Sequence, residues 1–351
     1  MLHPGMNLTP VRENHRFDED ALAACLTRKL EGFTGPLTVR QFKGGQSNPT
    51  FLLEAGERRW VLRKKPPGKL LPSAHQIERE HRVMAALADS DVPVPAMRLL
   101  EDDASIIGTP FYVMDYVEGR IFHAADLPDV SAADRGAMYR DMVRTLAALH
   151  SVDYAAVGLE DFGRPSGYVA RQVKRWSDQY QASRTQDVES MERLMAWLPE
   201  HVPPGDETTI AHGDFRPGNL LFHPTEPRVI AVLDWELSTL GHPLGDLAYF
   251  CMAYRLPALS RELGGLVGSD LAALGIPSEA EVLAQYRQLT GRDEIPAFGY
   301  FMGFSLFRLA AIAQGVYKRA LDGNAADPKA GMYGMAAQML ADLAWQVVNP
   351  G

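Results

Sequence analysis

The sequence predicts a two-lobed α+β protein, in which a small antiparallel β-sheet with one helix precedes a larger, mainly helical lobe. The chain of 351 residues is long enough for two such lobes. Short β-rich runs fill its first part, whereas helical periodicity dominates after about residue 120, except for a β-rich island at 210–237. We therefore predict an N-lobe over residues 1–117 and a C-lobe over residues 118–351, with the hinge at Glu118-Gly119.

The N-lobe elements follow from residue type and periodicity. Runs of β-branched, aromatic and aliphatic residues predict strands at 37–42, 50–54, 59–63 and 111–116. The segment 74–88 has helical periodicity, and its apolar stripe of Ile77, Met84 and Leu87 also includes position 80. We therefore expect the carboxylate of Glu80 to face the inside of the lobe.

The C-lobe is predicted to be helical on both sides of the island. Apolar residues recur at helical spacing over 138–150, 169–180 and 300–317. Because polar residues interrupt the last run, it is interpreted as a buried C-terminal helix and not as a membrane span. Five polar residues of this segment could contribute to an acceptor site, although a solvated helix face is the preferred interpretation. They are Arg308, Gln314, Tyr317, Lys318 and Arg319.

Charge and cysteine content exclude several classes of protein. The chain has 35 Lys and Arg against 44 Asp and Glu, and the resulting net charge of −9 argues against a nucleic-acid partner. Two cysteines, Cys25 and Cys251, form neither a disulfide framework nor a cysteine-rich metal site. Residues 1–10 lack the features of a signal peptide, so we expect a loose N-terminal arm and a cytoplasmic protein. The oligomeric state is left open.

The strongest functional pattern lies in the island, where His212, Asp214 and Asn219 follow a short strand. A His-x-Asp sequence with Asn five positions after the Asp is typical of the kinase catalytic loop. Phosphoryl transfer needs a carboxylate to orient and deprotonate the attacking hydroxyl, and an amide oxygen to hold Mg²⁺ against the phosphates of ATP. Asp214 and Asn219 supply these groups.

A second carboxylate follows on the next predicted strand. The apolar run 229–233 ends at Asp234, and a hairpin would bring this carboxylate beside Asn219 as a second Mg²⁺ ligand. Each short motif alone also occurs in turns, where Asp and Asn only cap backbone groups. The ordered set, framed by strands, favours phosphoryl transfer.

The N-lobe offers a candidate partner for the phosphates. In kinases a cation on a strand contacts the phosphates and is held by a carboxylate of the adjacent helix. Arg63 and Lys64 are the two candidates, with Glu80 as the carboxylate. The alternative is that both cations are solubilising charges of an edge strand.

These motifs resemble the aminoglycoside phosphotransferase and choline kinase family. The resemblance rests on His212-Gly-Asp-Phe-Arg-Pro-Gly-Asn, Leu233-Asp-Trp-Glu and Gly245-Asp-Leu-Ala, and it covers about residues 35–320. It is greatest to the kinase-like domain that is fused ahead of some acyl-CoA dehydrogenases. The resemblance implies a protein-kinase-like fold with Mg²⁺-ATP in the cleft between the lobes.

The resemblance also implies roles for the loop residues. Asp214 would be the catalytic base, and His212 and Asp246 would brace the loop, although Asp246 could instead be an N-cap that opens a helix. Arg63 is preferred to Lys64, because the family often carries Val-Leu-Arg at this place. Arg216 could offset charge near the base, contact an anionic substrate, or be an ion-paired surface residue.

Nucleotide contacts are predicted at two places in the N-lobe. Gly44, Gly45 and Ser47 form a candidate phosphate-covering turn, although a hairpin tip is an equally good interpretation. By resemblance, the backbone groups of Met114 and Tyr116 would face the adenine edge, although a plain core strand is the alternative.

The resemblance puts the acceptor site after residue 168, where Tyr168, Arg171, Arg175 and Trp176 suit an anionic or partly apolar molecule. No Ala-Pro-Glu signature follows Asp234, which favours a small hydroxylated substrate over a protein. A hydroxy acid or its CoA thioester is suggested by the resemblance, with an aminoglycoside or a choline-like alcohol as alternatives. A metal-dependent hydrolase and a catalytically silent nucleotide-binding module are the rival classes.

Overall fold

The N-lobe is built on a six-stranded antiparallel sheet with the strand order β1-β2-β3-β4-β6-β5. The computed structural model describes residues 8–43, 48–66, 76–257, 264–323 and 332–350. The strands are β1 (Leu8–Thr9), β2 (Thr38–Phe42), β3 (Thr50–Ala55), β4 (Arg58–Lys64), β5 (Met97–Glu101) and β6 (Phe111–Asp115). The strand β5 was not predicted, because its sequence Met-Arg-Leu-Leu-Glu contains no β-branched or aromatic residue.

The two faces of this sheet have different partners. Alternate residues such as Phe51, Leu62 and Phe111 form an apolar core with α1 (Glu19–Lys29). The intervening residues face the C-lobe, and α2 (Ile77–Ala86) lies on that side, with its apolar residues in the larger core of the molecule. The predicted inward orientation of Glu80 is observed, since this side chain is 1% exposed.

The C-lobe is mainly helical, as predicted. Its helices are α3 (Ala132–Ser151), α4 (Tyr168–Ser183), α5 (Glu189–Glu200), α6 (Pro243–Cys251), α7 (Leu271–Leu274), α8 (Glu279–Thr290), α9 (Phe298–Leu321) and α10 (Met332–Val348). Because α9 packs against α4, α6 and α10, it is apolar on almost every side. The prediction of a solvated face was wrong for Arg308 and Gln314, which are both buried.

Two short antiparallel pairs form the β-rich island. The strand β7 (Thr209–Ala211) pairs with β10 (Thr239–Gly241), and β8 (Leu220–Phe222) pairs with β9 (Val229–Val232). The loop between β7 and β8 carries the His-x-Asp motif, and the end of β9 leads to Asp234. The backbone N–H of Leu233 donates to the carbonyl of Asn219 at 2.8 Å, which brings the two segments side by side. No helix in the described ranges is long and apolar enough to cross a membrane.

Candidate active site

Asp246, near the start of α6, is hydrogen-bonded to the backbone of the loop between β7 and β8. Its carboxylate accepts the backbone N–H groups of His212 at 2.6 Å and Gly213 at 2.9 Å, and its side chain is almost fully buried. Burial alone would raise the pKa of Asp246, but hydrogen bonds, that of His150 first, lower the pKa below its usual value. Its N-cap interpretation was wrong, since the side chain of His242 caps α6.

Replacing Asp246 by Ala is expected to lower the free energy of unfolding by about 2–5 kcal/mol, because two buried N–H groups lose their acceptor. Chemical denaturation with an urea series measures this change. Asp270→Ala is the matched control, since Asp270 caps α7 at an exposed position through the N–H of Ala273, and its loss should cost only about 1 kcal/mol. Equal losses in the two variants would contradict the bracing role of Asp246.

His212 ties the loop to the end of β9. The imidazole is fully buried, and its Nδ1 accepts the N–H of Asp214 at 3.2 Å while its Nε2 lies 2.9 Å from the carbonyl of Leu233. Both contacts are satisfied by the tautomer with the proton on Nε2. Gly213, between these residues, has φ +83°, and a Cβ there would lie 2.8 Å from the carbonyl oxygen of Leu237. The loop therefore requires glycine at this position.

The loop brings Asp214, Arg216 and Asn219 together. The side-chain NH₂ of Asn219 donates to the Oδ2 of Asp214 at 2.7 Å and to its backbone carbonyl at 2.9 Å. The amide nitrogen is thus used within the loop, which leaves the amide oxygen of Asn219 for a cation. The Nε of Arg216 lies 3.4 Å from Oδ1 of Asp214. Both side chains are partly exposed, and Arg216 lines the cleft between the lobes.

Arg63 connects the N-lobe to the end of β9. One Nη donates to Oδ1 of Asp234 at 2.9 Å, and the Nε lies 3.0 Å from Oε2 of Glu80. Asp234 adopts the left-handed conformation, with φ 63° and ψ 60°. A non-glycine residue in this region is strained, and such strain is found most often at functional sites.

Glu80 is held by two groups that were not predicted from the sequence. The side-chain NH₂ of Asn48 donates to one oxygen at 2.7 Å, and the Tyr112 hydroxyl donates to the other at 3.1 Å. Burial raises the pKa of Glu80 to about 7, although the charge of Arg63 opposes this shift. Both donors fix the carboxylate in the orientation that meets Arg63.

Lys64, the other candidate cation, lies on the opposite face of the sheet. Successive residues of β4 point to opposite sides, so Lys64 turns away from the cleft that Arg63 faces. Lys64 is 3% exposed, and its ammonium lies 5.5 Å from the ring centroid of Phe17. The structure therefore corrects the inclusion of Lys64 among the candidates for phosphate contact.

Arg63→Ala is expected to weaken the affinity for ATP about 10- to 100-fold, because a charge-assisted contact to a phosphate is lost. Lys64→Ala is the matched control from the neighbouring position of the same strand, and it should leave the affinity within about 2-fold. Calorimetric titration with ATP and Mg²⁺ measures both. A larger loss of affinity in Lys64→Ala than in Arg63→Ala would reverse the assignment.

A cleft of about 450 Å³ lies between the lobes. Its lining includes Met114 and Tyr116 from the N-lobe side, as well as residues of the catalytic loop. The N–H of Tyr116 donates to the carbonyl of Arg59 at 3.4 Å, so this amide is used by the sheet. Contact of the other backbone groups of Met114 and Tyr116 with adenine stays a prediction. The candidate turn of Gly44, Gly45 and Ser47 lies outside the described residues.

The predicted acceptor residues lie on α4, and the structure separates them. Trp176 is buried, whereas Arg175 is exposed and lies 5.5 Å from the Trp176 ring centroid. Tyr168 is buried as well. Arg171 donates to the backbone carbonyls of Arg164 and Ser166, so its guanidinium is held at the start of α4, contrary to the expected contact with a substrate.

Beside the catalytic loop, sequence reasoning missed Tyr249 and interpreted Arg308 as part of a solvated helix face. The Tyr249 hydroxyl interacts with the carboxylate of Asp214, and Arg308 donates to the backbone carbonyl of Gly213 at 2.7 Å. Burial and then the charge of Asp214 raise the pKa of Tyr249, so it remains a phenol. Tyr249 lies three positions after Asp246, on the same helix face, and this spacing was the available signal.

Comparisons with known proteins agree with this geometry. The model of the phosphotransferase enzyme family APH matches residues 38–287. A structure from Ralstonia eutropha, provisionally described as an aminoglycoside phosphotransferase, is 48% identical, with a TM-score of 0.88 over 95% of this chain and 99% of that chain. The ternary complex of an aminoglycoside phosphotransferase with ADP and hygromycin B has a TM-score of 0.60 at 15% identity, over 93% of this chain and 98% of that chain, which shows a shared fold.

The curated relatives carry a different name. Acyl-CoA dehydrogenase family member 10 of Mus musculus is 47% identical over 98% of this chain, and member 11 of Homo sapiens is 45% identical over 97%. This chain spans only 32% and 44% of their lengths. The family match, the kinase-like fold and the loop together confirm the predicted resemblance, and the chain belongs to the APH phosphotransferase enzyme family.

Proposed function

We propose that this protein is an ATP-dependent kinase that phosphorylates the hydroxyl group of a small acyl-bearing molecule, a hydroxy acid or a hydroxyacyl-CoA. The observation that carries the proposal is that Asn219 and Asp234 line the interlobe cleft, where Asn219 holds the carboxylate of Asp214 and Arg63 contacts Asp234 from the N-lobe. A fold relative binds ADP in its ternary complex, which supports ATP as the donor.

The reaction is an in-line displacement at phosphorus. The hydroxyl oxygen of the acceptor forms a bond to the γ-phosphorus, the bond from that phosphorus to the β,γ-bridging oxygen breaks, and ADP leaves. Asp214 orients the hydroxyl and accepts its proton. The hydrogen bond from Asn219 fixes the Asp214 carboxylate in position before the substrate arrives.

The residues near Asp214 fit a Mg²⁺ ion that enters with the nucleotide. Mg²⁺ is commonly held by one or two protein oxygens together with phosphate oxygens and water. The hydrogen bonds of Asn219 to Asp214 use its NH₂ group, so its amide oxygen can face a cation. Asp234 contacts Arg63 through Oδ1, which leaves Oδ2 for the metal. When bound, Mg²⁺ would neutralise phosphate charge. Arg63 would add a second positive charge at the phosphates.

The acceptor class is inferred from charge and from the relatives. An aminoglycoside is a polycation and needs carboxylates around its hydroxyl group, whereas α9 puts the guanidinium of Arg308 against the loop, where it donates to the carbonyl of Gly213. Cations favour an acceptor with acyl or acidic oxygens. The curated relatives are named acyl-CoA dehydrogenases, which suggests that an acyl-CoA is the molecule shared between the two activities.

A screen for acceptor-dependent formation of ADP tests the function. Straight-chain hydroxy acids, their CoA thioesters, aminoglycosides and choline-like alcohols are compared with ATP and Mg²⁺, and the phosphorylated product is identified by mass spectrometry. We expect a product from a hydroxy acid or its thioester only. Phosphorylation of an aminoglycoside alone would replace the acceptor class, and release of a hydrolysed acid without consumption of ATP would favour the hydrolase.

A further inference from the structure

Arg308 is a buried cation without a counterion. It lies in the middle of α9 and is only 9% exposed. Among the residues that the structure describes, no carboxylate lies within ion-pair distance of its guanidinium, and its Nε has no hydrogen-bond partner. Within the described ranges, its guanidinium donates one hydrogen bond, which goes to the neutral carbonyl of Gly213. Burial of an unpaired charge is unfavourable, so this arrangement is typical of a site that receives its negative partner from outside.

Two aromatic rings fix the guanidinium in place. The Trp176 centroid lies 5.2 Å from its central carbon, and the Tyr249 centroid lies 5.3 Å from it. Aromatic faces attract a cation, yet they supply no acceptor for the vacant Nε–H. The rings therefore orient Arg308 and exclude water from it, and they leave its remaining donors for an oxygen-bearing ligand.

Tyr249 joins this cation to the catalytic base. Its ring contacts Arg308, while its hydroxyl interacts with the carboxylate of Asp214. The ligand group on Arg308 and the hydroxyl group at Asp214 would therefore be bound near the same side chain. One acceptor that carries both groups fits this arrangement.

We propose that Arg308 binds an acyl oxygen of the acceptor, from a carboxylate or from a thioester, and so selects hydroxyacyl molecules over simple alcohols. The assignment rests on the proposed kinase activity. Planar guanidinium groups bind such oxygens with charge-assisted hydrogen bonds, which are the strongest neutral-pH contacts that a side chain offers to them.

The test compares Arg308→Met with Arg175→Met. Arg175 also lies over the Trp176 ring but is exposed, so it is a matched control for the loss of one cation near the same ring. The probes are hydroxybutyrates with the hydroxyl at carbon 2, 3 or 4, their CoA thioesters, and the matching butanols, which lack the acyl group. Initial rates are measured with ATP and Mg²⁺, and ATP affinity is measured by calorimetry.

We expect Arg308→Met to lower kcat/KM for the best acyl-bearing probe about 10- to 100-fold more than it lowers kcat/KM for the matching butanol, because any loss of the Gly213 contact affects both substrates equally. The affinity for ATP should stay within about 2-fold of wild type. Arg175→Met should stay within about 2-fold of wild type. The free acids and thioesters separate the two sources of the acyl oxygen. An equal loss on acid and butanol, or a wild-type preference for the butanol, would overturn the role of Arg308 while leaving the kinase activity in place.

A binding measurement separates the failure of this inference from a failure of the proposed function. If no probe is phosphorylated, the same hydroxybutyrates are titrated into wild type and Arg308→Met in the presence of a non-hydrolysable ATP analogue. Binding that is lost in the variant would support the site even without turnover. Equal affinity in both proteins, or no binding to wild type, would refute it.

Discussion

Replacement of Asp214 by Asn is expected to lower kcat about 10²- to 10⁴-fold while ATP and Mg²⁺ still bind. The amide has nearly the same shape, and its oxygen still accepts the hydrogen bond from Asn219, but it has no basicity with which to take the proton of the acceptor. Formation of ADP with the best acceptor measures kcat, and calorimetry measures ATP binding.

The matched control for this variant is Asp153→Asn, which changes an exposed carboxylate that accepts N–H groups of its own turn. That change should leave kcat unaltered. Wild-type turnover in Asp214→Asn would remove Asp214 as the base. A loss of ATP binding in Asp214→Asn would instead indicate that this carboxylate holds the metal.

Local patterns in the sequence were sufficient to predict the lobes and the loop. The chemistry of the loop depends on residues within five positions of each other, so the spacing of Asp214 and Asn219 carries the information. Helical periodicity alone predicted that Glu80 faces the inside of the lobe, where its carboxylate contacts Arg63. These inferences needed no knowledge of how distant segments pack.

Other parts of the site depend on packing that a single sequence does not reveal. Arg63 and Lys64 are both cations, so residue type does not show which of them faces the cleft. The contact of Lys64 with Phe17 in the folded protein shows that Lys64 faces away from it. Arg308 meets Gly213 across 95 residues of sequence, in a helix that is buried on almost every side. A polar residue in an apolar helix is often solvated, and its burial became visible only once α4, α6 and α10 surrounded α9.

Asp234→Ala is expected to weaken the Mg²⁺-dependent affinity for ATP by about 100-fold or more, because the only carboxylate proposed as a ligand is removed. The change also removes the 2.9 Å contact between Asp234 and Arg63. In addition, it puts alanine into the left-handed conformation, which costs roughly 1–2 kcal/mol of folding free energy. A second variant is therefore needed to distinguish the effect of backbone strain on ATP affinity from the effect of losing the metal ligand.

Asp234→Asn makes that separation, since asparagine tolerates the left-handed conformation and retains one side-chain oxygen. We expect its Mg²⁺ affinity, measured by titrating the metal into the enzyme with ATP, to lie between those of wild type and Asp234→Ala. Glu236→Ala is the control for lost negative charge, because Glu236 lies 3.8 Å from Arg63 but is not proposed as a ligand. If Glu236→Ala weakened Mg²⁺ binding as strongly as Asp234→Ala, general charge and not ligation would account for the effect.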